Sequence, residues 1–287
     1  MPAPFLCKKF YGAENLKYTK RYLVTRMDKQ IIQDALTVYA LSHIDDIQVF
    51  DELDSTNLES LRQIKSRKPA TRLIVAEAQS AGRGRRGRCW LSPSGSGIYL
   101  SLTRSFESVE TIQSLSLISA ISVLNALESA GVSGLHLKWP NDVLFEEQKL
   151  AGVLLELHVG TATNDVVFGI GINLSLSDEE KRSIGRPVTD VRSIIGHRPD
   201  DSIMAAEIAN LLMENILIFE DQGFRPFSEV WNSYDCCVNQ DIVIQTGNAR
   251  KVGKSMGVDE SGALILQLWN RRELITGGEI FRSLRKI

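Results

Sequence analysis

The sequence holds few cysteines and histidines, no long apolar run and no excess of charge of either sign. Its four cysteines, Cys7, Cys89, Cys236 and Cys237, contain no CxxC pair, which excludes zinc-ribbon spacings and a disulfide-stapled secreted scaffold. Cys236 and Cys237 are adjacent, a spacing at which a disulfide is strained, so a reducing cytoplasm is the expected compartment. His43, His136, His158 and His197 stand far apart, and no protein-held zinc is expected. No stretch approaches the roughly 20 consecutive apolar residues of a membrane span, and residues 1–6 are too short for the apolar segment of a signal peptide. With 33 basic residues against 35 acidic ones the net charge is −2. General attraction to nucleic acid or anionic membranes is thereby excluded, and any phosphate chemistry must be local.

What remains is 287 residues, 43% hydrophobic, enough for one large domain with a small one attached. Residues 1–27 read as a basic, loosely ordered leader, in which Lys8, Lys9, Lys17, Lys20, Arg21 and Arg26 face Glu14 alone. A mitochondrial-type presequence is the alternative, although the stretch has no serine and no amphipathic stripe; translation could also begin at Met27. Residues 28–238 form the expected main domain. Ile31, Ile32, Ala35, Leu36 and Tyr39 have helical spacing, and residues 47–53 alternate as a strand does. Ser55 or Thr56 caps a predicted helix with Leu58, Leu61 and Ile64 on its apolar face. Strands are predicted at 71–78, 98–103, 135–139, 143–145, 151–157 and 165–174, and helices at 111–130, 202–222 and 227–234. Beyond residue 239, short β-prone runs broken by glycines at 247, 257, 262, 277 and 278 predict a small β-barrel over 239–287.

Between the predicted strands lies a segment, 79–97, too rich in Gly, Arg and Ser to be core and too long for an idle turn. Its Gly82-Arg83-Gly84-Arg85-Arg86-Gly87-Arg88 run sets four guanidinium groups in seven residues. Glycine frees the backbone to wrap an anion, and the planar guanidinium fork makes bidentate bonds to phosphate. A solvated basic loop or a nucleic-acid arm is the plainer reading of the run alone. Lys138-Trp139-Pro140-Asn141-Asp142 places two polar side chains at a strand tip, which is also ordinary turn chemistry. Lys149-Leu150-Ala151-Gly152 opens an apolar strand with a lone cation. Gly169-Ile170-Gly171-Ile172-Asn173 removes two side chains from one face of a strand, so that a ligand can lie flat there or a helix pack closely.

In order along the chain, Asp54-Ser55-Thr56-Asn57, Gln79 with the arginine run and Trp90, Lys138–Asp142, Lys149–Gly152 with Glu156 downstream, Gly169–Asn173 and the small β unit resemble the biotin–protein ligase family. The resemblance spans residues 28–287. It implies an α+β catalytic domain built on a mixed, largely antiparallel sheet of the class II synthetase-like type, with an SH3-like C-terminal barrel. It implies an enzyme that joins biotin and ATP into biotinyl-5′-AMP and transfers biotin to a lysine of a biotin carboxyl carrier protein, such as an acetyl-CoA carboxylase subunit, with Mg²⁺. By resemblance, biotin is held by Ser55, Thr56, Asn57, Gln79, Gly82, Arg83, Arg85, Lys149, Gly152 and Gly169. The nucleotide is held by Arg85, Arg86, Arg88, Trp90, Asn141, Lys149 and Asn173. Lys149, Arg85 and Asp142 are the implied catalytic residues, Asp142 serving as metal ligand or as base. The family's ligase-repressor branch carries an N-terminal winged helix-turn-helix. Here the Ser55-Thr56 motif comes too early for one, so a monofunctional ligase without DNA binding is expected. Lipoate–protein ligase, a DNA-binding regulator and an idle ligand-binding module are the competing readings. Monomer and homodimer both stay open.

Overall fold

The computed structural model describes residues 27–66, 70–107, 112–160, 163–247 and 249–282. The expected leader lies outside them except for Met27. Asp28 caps α1 (Lys29–Ala35) and Thr37 caps α2 (Val38–His43), each side chain accepting from backbone amides of its first turn. The sequence predicts one helix through Tyr39. Thr37 divides it, and Asn210 fills the break by accepting from Thr37 N and donating to Ala35 O.

There follow β1 (Asp46–Leu53), α3 (Thr56–Ser66), β2 (Arg72–Gln79), a loop with one 3-10 turn, β3 (Gly97–Phe106) and α4 (Ile112–Ser129). After these come β4 (Leu135–Lys138), β5 (Asp142–Phe145), β6 (Gln148–Val159), β7 (Asn164–Asn173), α5 (Asp178–Ile184), α6 (Val191–Ile195), α7 (Asp201–Gln222) and α8 (Arg225–Tyr234). The strands form one sheet in the order β1-β2-β3-β7-β6-β5-β4. Only the β1–β2 pair is parallel, joined through α3; the other pairs are antiparallel. The expected mixed, largely antiparallel α+β domain is what the chain forms.

The pleat sorts the side chains. On β3, Leu100 and Leu102 are buried in the core, as are Phe168, Ile170 and Ile172 on β7. Their alternates Ser101, Gly169 and Gly171 therefore project to the other face, where α3 lies. That helix corrects the sequence reading. Leu58, Leu61 and Ile64 are only half-buried, whereas Thr56, Asn57, Ser60 and Gln63 are buried, because the surface beneath is polar and lined with small residues. Among the described helices α7 is long and apolar enough to cross a membrane, although Glu207, Glu214 and Glu220 leave it without an unbroken apolar run. Its Met204, Ala205, Ile208, Leu212, Met213 and Ile216 are buried against α1, α2 and α4, and that packing accounts for its composition.

The C-terminal unit comprises β8 (Asp241–Thr246), β9 (Ala249–Val258), β10 (Leu264–Gln267), β11 (Arg272–Ile275) and β12 (Glu279–Arg282). They pair antiparallel in the order β11-β10-β9-β8-β12. These five strands are consistent with the expected small SH3-like unit; among the described residues β11 and β12 end the order without pairing to each other. The turn at Gly277 and Gly278 carries the chain from β11 to β12, which pairs with β8 and meets the arginine loop of the main domain.

Candidate active site

A cleft enclosing about 810 Å³ of empty space, the solvent at its open mouth included, lies where the small-residue face of the main sheet, the arginine loop and β12 meet. Its base follows from register: Ser101 and Leu154 pair with Gly169, and Tyr99 and Gly152 pair with Gly171, so a trough of small residues runs from β3 across β7 to β6, with Tyr99 and Leu154 on the same face beside them. A Cβ on Gly169 would stand 2.1 Å from Asn57 Oδ1, and one on Gly171 would stand 2.5 Å from the Trp90 ring. At Gly152 the neighbours are Lys149 and Trp90. The glycines thus admit this chain's own Asn57 and Trp90 to the sheet.

The floor is a connected polar network. Gln79 Oε1 accepts from Thr56 N at 2.9 Å, and Gln79 Nε2 donates to Ser92 Oγ at 2.8 Å. Ser92 Oγ in turn donates to Trp90 O. Ser101 Oγ lies 2.8 Å from Thr56 Oγ1 and 2.6 Å from Asn57 Oδ1. Asn57 Nδ2 donates to Glu156 Oε2 at 2.9 Å, and Glu156 Oε1 meets Arg83 Nη1 at 3.1 Å. Ser55, 1% exposed, lines the cavity beside them. The network is satisfied within the protein, which is what permits its burial.

The loop above is a narrow hairpin: Trp90 N donates to Gly82 O, Gly84 N to Arg88 O, and Arg83 pairs with Cys89. Gly82 is required at its base, since a Cβ there would come within 2.3 Å of Trp90 O. At its tip Arg86 takes φ 59° and Gly87 φ 73°, the reversal that turns the arginines toward the C-terminal sheet. Arg85 donates to Asn141 Oδ1 at 2.9 Å and to Gly278 O at 3.1 Å. Glu279 receives both Arg86, at 3.1 Å, and Arg88, at 2.7 Å. Burial pulls the Arg85 guanidinium below its ordinary pKa, with the Asp142 carboxylate opposing.

At the far end of the trough Lys149 Nζ lies 2.5 Å from Asp142 Oδ1 and 5.1 Å above the Trp90 ring. Its side chain is 11% exposed. Burial lowers the ammonium pKa from 10.5; Asp142 resists that shift, and Arg186 adds to it. The tip that presents Asp142 is the Trp139–Asn141 turn, in which Asn141 Nδ2 donates to Val153 O at 2.8 Å. Turn and site readings of that motif therefore coincide.

Of the residues implicated by sequence, Ser55, Thr56, Asn57, Gln79, Arg83, Arg85, Arg88, Trp90, Asn141, Asp142, Lys149, Gly152 and Gly169 line this one cavity. Gly82, Arg86 and Asn173 are not among its lining residues. Gly82 shapes the loop base and Arg86 faces Glu279. Asn173 Nδ2 donates to Lys149 O and Thr189 O, bracing the start of β6. The sequence reading did not assign Ser92, Ser101, Arg186 or Glu279 to the site and carried Glu156 only as part of a motif. Ser101 and Glu156 do leave a signal, each being polar inside an apolar strand.

Residues 49–173 match the biotin/lipoate A/B protein ligase family, and residues 238–283 match the biotin protein ligase C terminal domain. The chain is 33% identical over 243 residues to the bifunctional ligase/repressor BirA of Escherichia coli, covering 84% of this chain and 75% of that one. It is 32% identical to a biotin–[acetyl-CoA-carboxylase] ligase of Paracoccus denitrificans, covering 79% of this chain and 97% of that one. The biotin protein ligase of Aquifex aeolicus, solved in complex with biotin and ATP, superposes with a TM-score of 0.73 at 28% identity, over 84% of this chain and 100% of that one.

Proposed function

The chain belongs to the biotin protein ligase family and is a ligase, and from that premise we propose that it condenses biotin with ATP to biotinyl-5′-AMP and then biotinylates one lysine of a biotin carboxyl carrier protein. The observation that carries this reading is the convergence of a nearly buried cation, Lys149, with a small-residue trough and a loop of arginines. Both substrates are anionic, so the reaction needs positive charge and alignment more than a covalent nucleophile.

In the proposed reaction the biotin ureido group lies among Ser55, Thr56, Asn57 and Gln79, whose hydroxyl and amide groups suit a neutral donor–acceptor ring. Gly152 and Gly169 keep the trough shallow beneath it. Arg83 and Arg85 receive the carboxylate while Arg85, Arg86, Arg88 and Asn141 receive phosphates, with Arg85, Arg86 and Arg88 giving up protein acceptors to do so. Trp90 supplies the surface for adenine, with Asn173 bracing the strand end nearby. A carboxylate oxygen attacks the α-phosphorus, the bond from that phosphorus to the bridging oxygen breaks, and pyrophosphate leaves. Lys149 neutralises charge at the carboxylate and α-phosphate. In the second half-reaction the acceptor amine attacks the acyl carbon, AMP departs with the electron pair of the broken acyl–oxygen bond, and Asp142 is placed to take the amine proton.

Mg²⁺ is commonly held by one or two carboxylates together with substrate phosphates. Asp142, beside Asn141 and the arginine loop, fits that donor pattern, and a bound Mg²⁺ would offset phosphate charge. Cys89 and Cys237 carry reduced thiols, which fits a reducing cytoplasm as the proposed compartment.

The test is transfer of labelled biotin to an apo biotin carboxyl carrier domain with ATP and Mg²⁺, beside lipoate with its own carrier. Biotin incorporation on the carrier lysine supports the reading. Incorporation of lipoate alone, or none by folded protein, overturns it.

A further inference from the structure

The polar network of the floor both begins and ends on the arginine loop, and one carboxylate closes it. From Arg83 it runs through Glu156, Asn57, Ser101, Thr56, Gln79 and Ser92 to Trp90 O. Glu156 stands on β6 opposite Val167, in a strand otherwise written in leucine and valine from Val153 to Leu155. One of its oxygens takes Asn57 Nδ2 at 2.9 Å and the other faces Arg83 Nη1 at 3.1 Å. Both amide hydrogens of Asn57 are committed. Its amide nitrogen also reaches Leu154 O, its oxygen accepts from Ser101, and its side chain is wedged over Gly169.

We infer that Glu156 is a positioning residue for biotin, clamping Arg83 of the loop to Asn57 of the floor so that the cation and the polar floor are set before the substrate carboxylate arrives. The inference rests on the biotin-ligation reading above. A carboxylate in a pocket for an anionic substrate costs binding unless it is neutralised, and Arg83 neutralises it here. The Glu156 side chain is 19% exposed and that of Arg83 41%, so the shielded half of the clamp is the Glu156–Asn57 bond, where the low-dielectric surroundings strengthen it. Two physical accounts of Glu156 therefore predict opposite signs. As a clamp, its removal weakens biotin binding; as a bystander charge, its removal strengthens it.

The test measures biotin binding by calorimetry and biotin transfer by steady-state kinetics on the full chain, comparing wild type with Glu156→Gln, Glu156→Asp, Arg83→Gln and the Arg83→Gln/Glu156→Gln double variant. The clamp predicts that Glu156→Gln raises Kd and KM for biotin roughly 10- to 100-fold, the range of one charge-assisted hydrogen bond. KM for ATP should stay within about twofold, and Glu156→Asp should recover part of the loss. The double variant should be no worse than Arg83→Gln alone, because the two act as one unit. A KM for biotin that falls or stays level in Glu156→Gln, or fully additive effects in the double variant, overturns the inference. Should Glu156→Gln not fold, Glu156→Asp with Arg83→Gln carries the same comparison. Wild-type protein that binds no biotin would sink the ligase reading instead, and that result precedes any variant.

Discussion

The two walls of the cavity are both dense in hydrogen-bonding groups, yet they are held in opposite ways. The floor is buried and internally satisfied, Thr56, Asn57, Ser101, Gln79 and Glu156 being one another's partners. The loop arginines Arg85, Arg86 and Arg88 are tied instead to Gly278 O, Gln245 O and Glu279 of a different sheet. Neutral groups in a buried network keep their geometry because leaving it strands unsatisfied atoms. Half-exposed guanidinium groups exchange partners at little cost. In the proposed reaction that difference makes the floor shape-selective and the loop an exchangeable anion-binding lid, and separate substitutions should separate them.

The largest effect is expected where the walls meet. Lys149→Ala should lower kcat/KM for biotin transfer by about 100- to 1,000-fold while circular dichroism shows an unchanged fold; an active variant would remove the central cation from the mechanism. The wild-type profile carries the same signature. The ammonium is active when protonated, and burial lowers its pKa from 10.5, so activity should be full below the lowered value and fall as pH rises through it. An alkaline limb that begins only above pH 10.5 would contradict the burial.

A floor substitution comes next. Gly169→Ala places a Cβ 2.1 Å from Asn57 Oδ1 and should weaken biotin binding by roughly tenfold or more, as displacing a buried polar partner does, with ATP affinity unaltered. Equal losses for both substrates would erase the division between floor and lid. Lid substitutions should act on retention. Arg85→Gly removes the bonds to Asn141 and Gly278, and labelling of bystander lysines by escaped biotinyl-5′-AMP should rise by about tenfold, the worth of one charge-assisted contact; unchanged selectivity would disprove it. The smallest effect belongs to Glu279→Gln, which loosens Arg86 and Arg88 at an exposed edge. KM for ATP should change by no more than about threefold, less at high salt.

Much of this arrangement was legible in the linear sequence because the signals are local. Period-two alternation along 164–173 assigns Ile170 and Ile172 to one face and Gly169 and Gly171 to the other. Pro140 marks the tip that carries Asn141 and Asp142, and the glycines among the arginines mark a tightly turned loop. Helix α3 was misread, since apolar spacing says which side of a helix is greasy but not whether the surface beneath it is. The break at Thr37 was missed because it is completed by Asn210, far along the chain.

Hydrophobic period by itself determined a mixed α+β domain with a C-terminal β unit, because each element depends on neighbours along the chain, while the ligase fold and the candidate site residues rest on the resemblance carried by the ordered motifs. Only the tertiary structure decided which partners those residues hold. It brought Glu156 between Asn57 and Arg83, and set Glu279 of the C-terminal unit against Arg86 and Arg88. Such contacts depend on sheet register and on the docking of one unit against another, and neither distance is written in the spacing of residues along the chain.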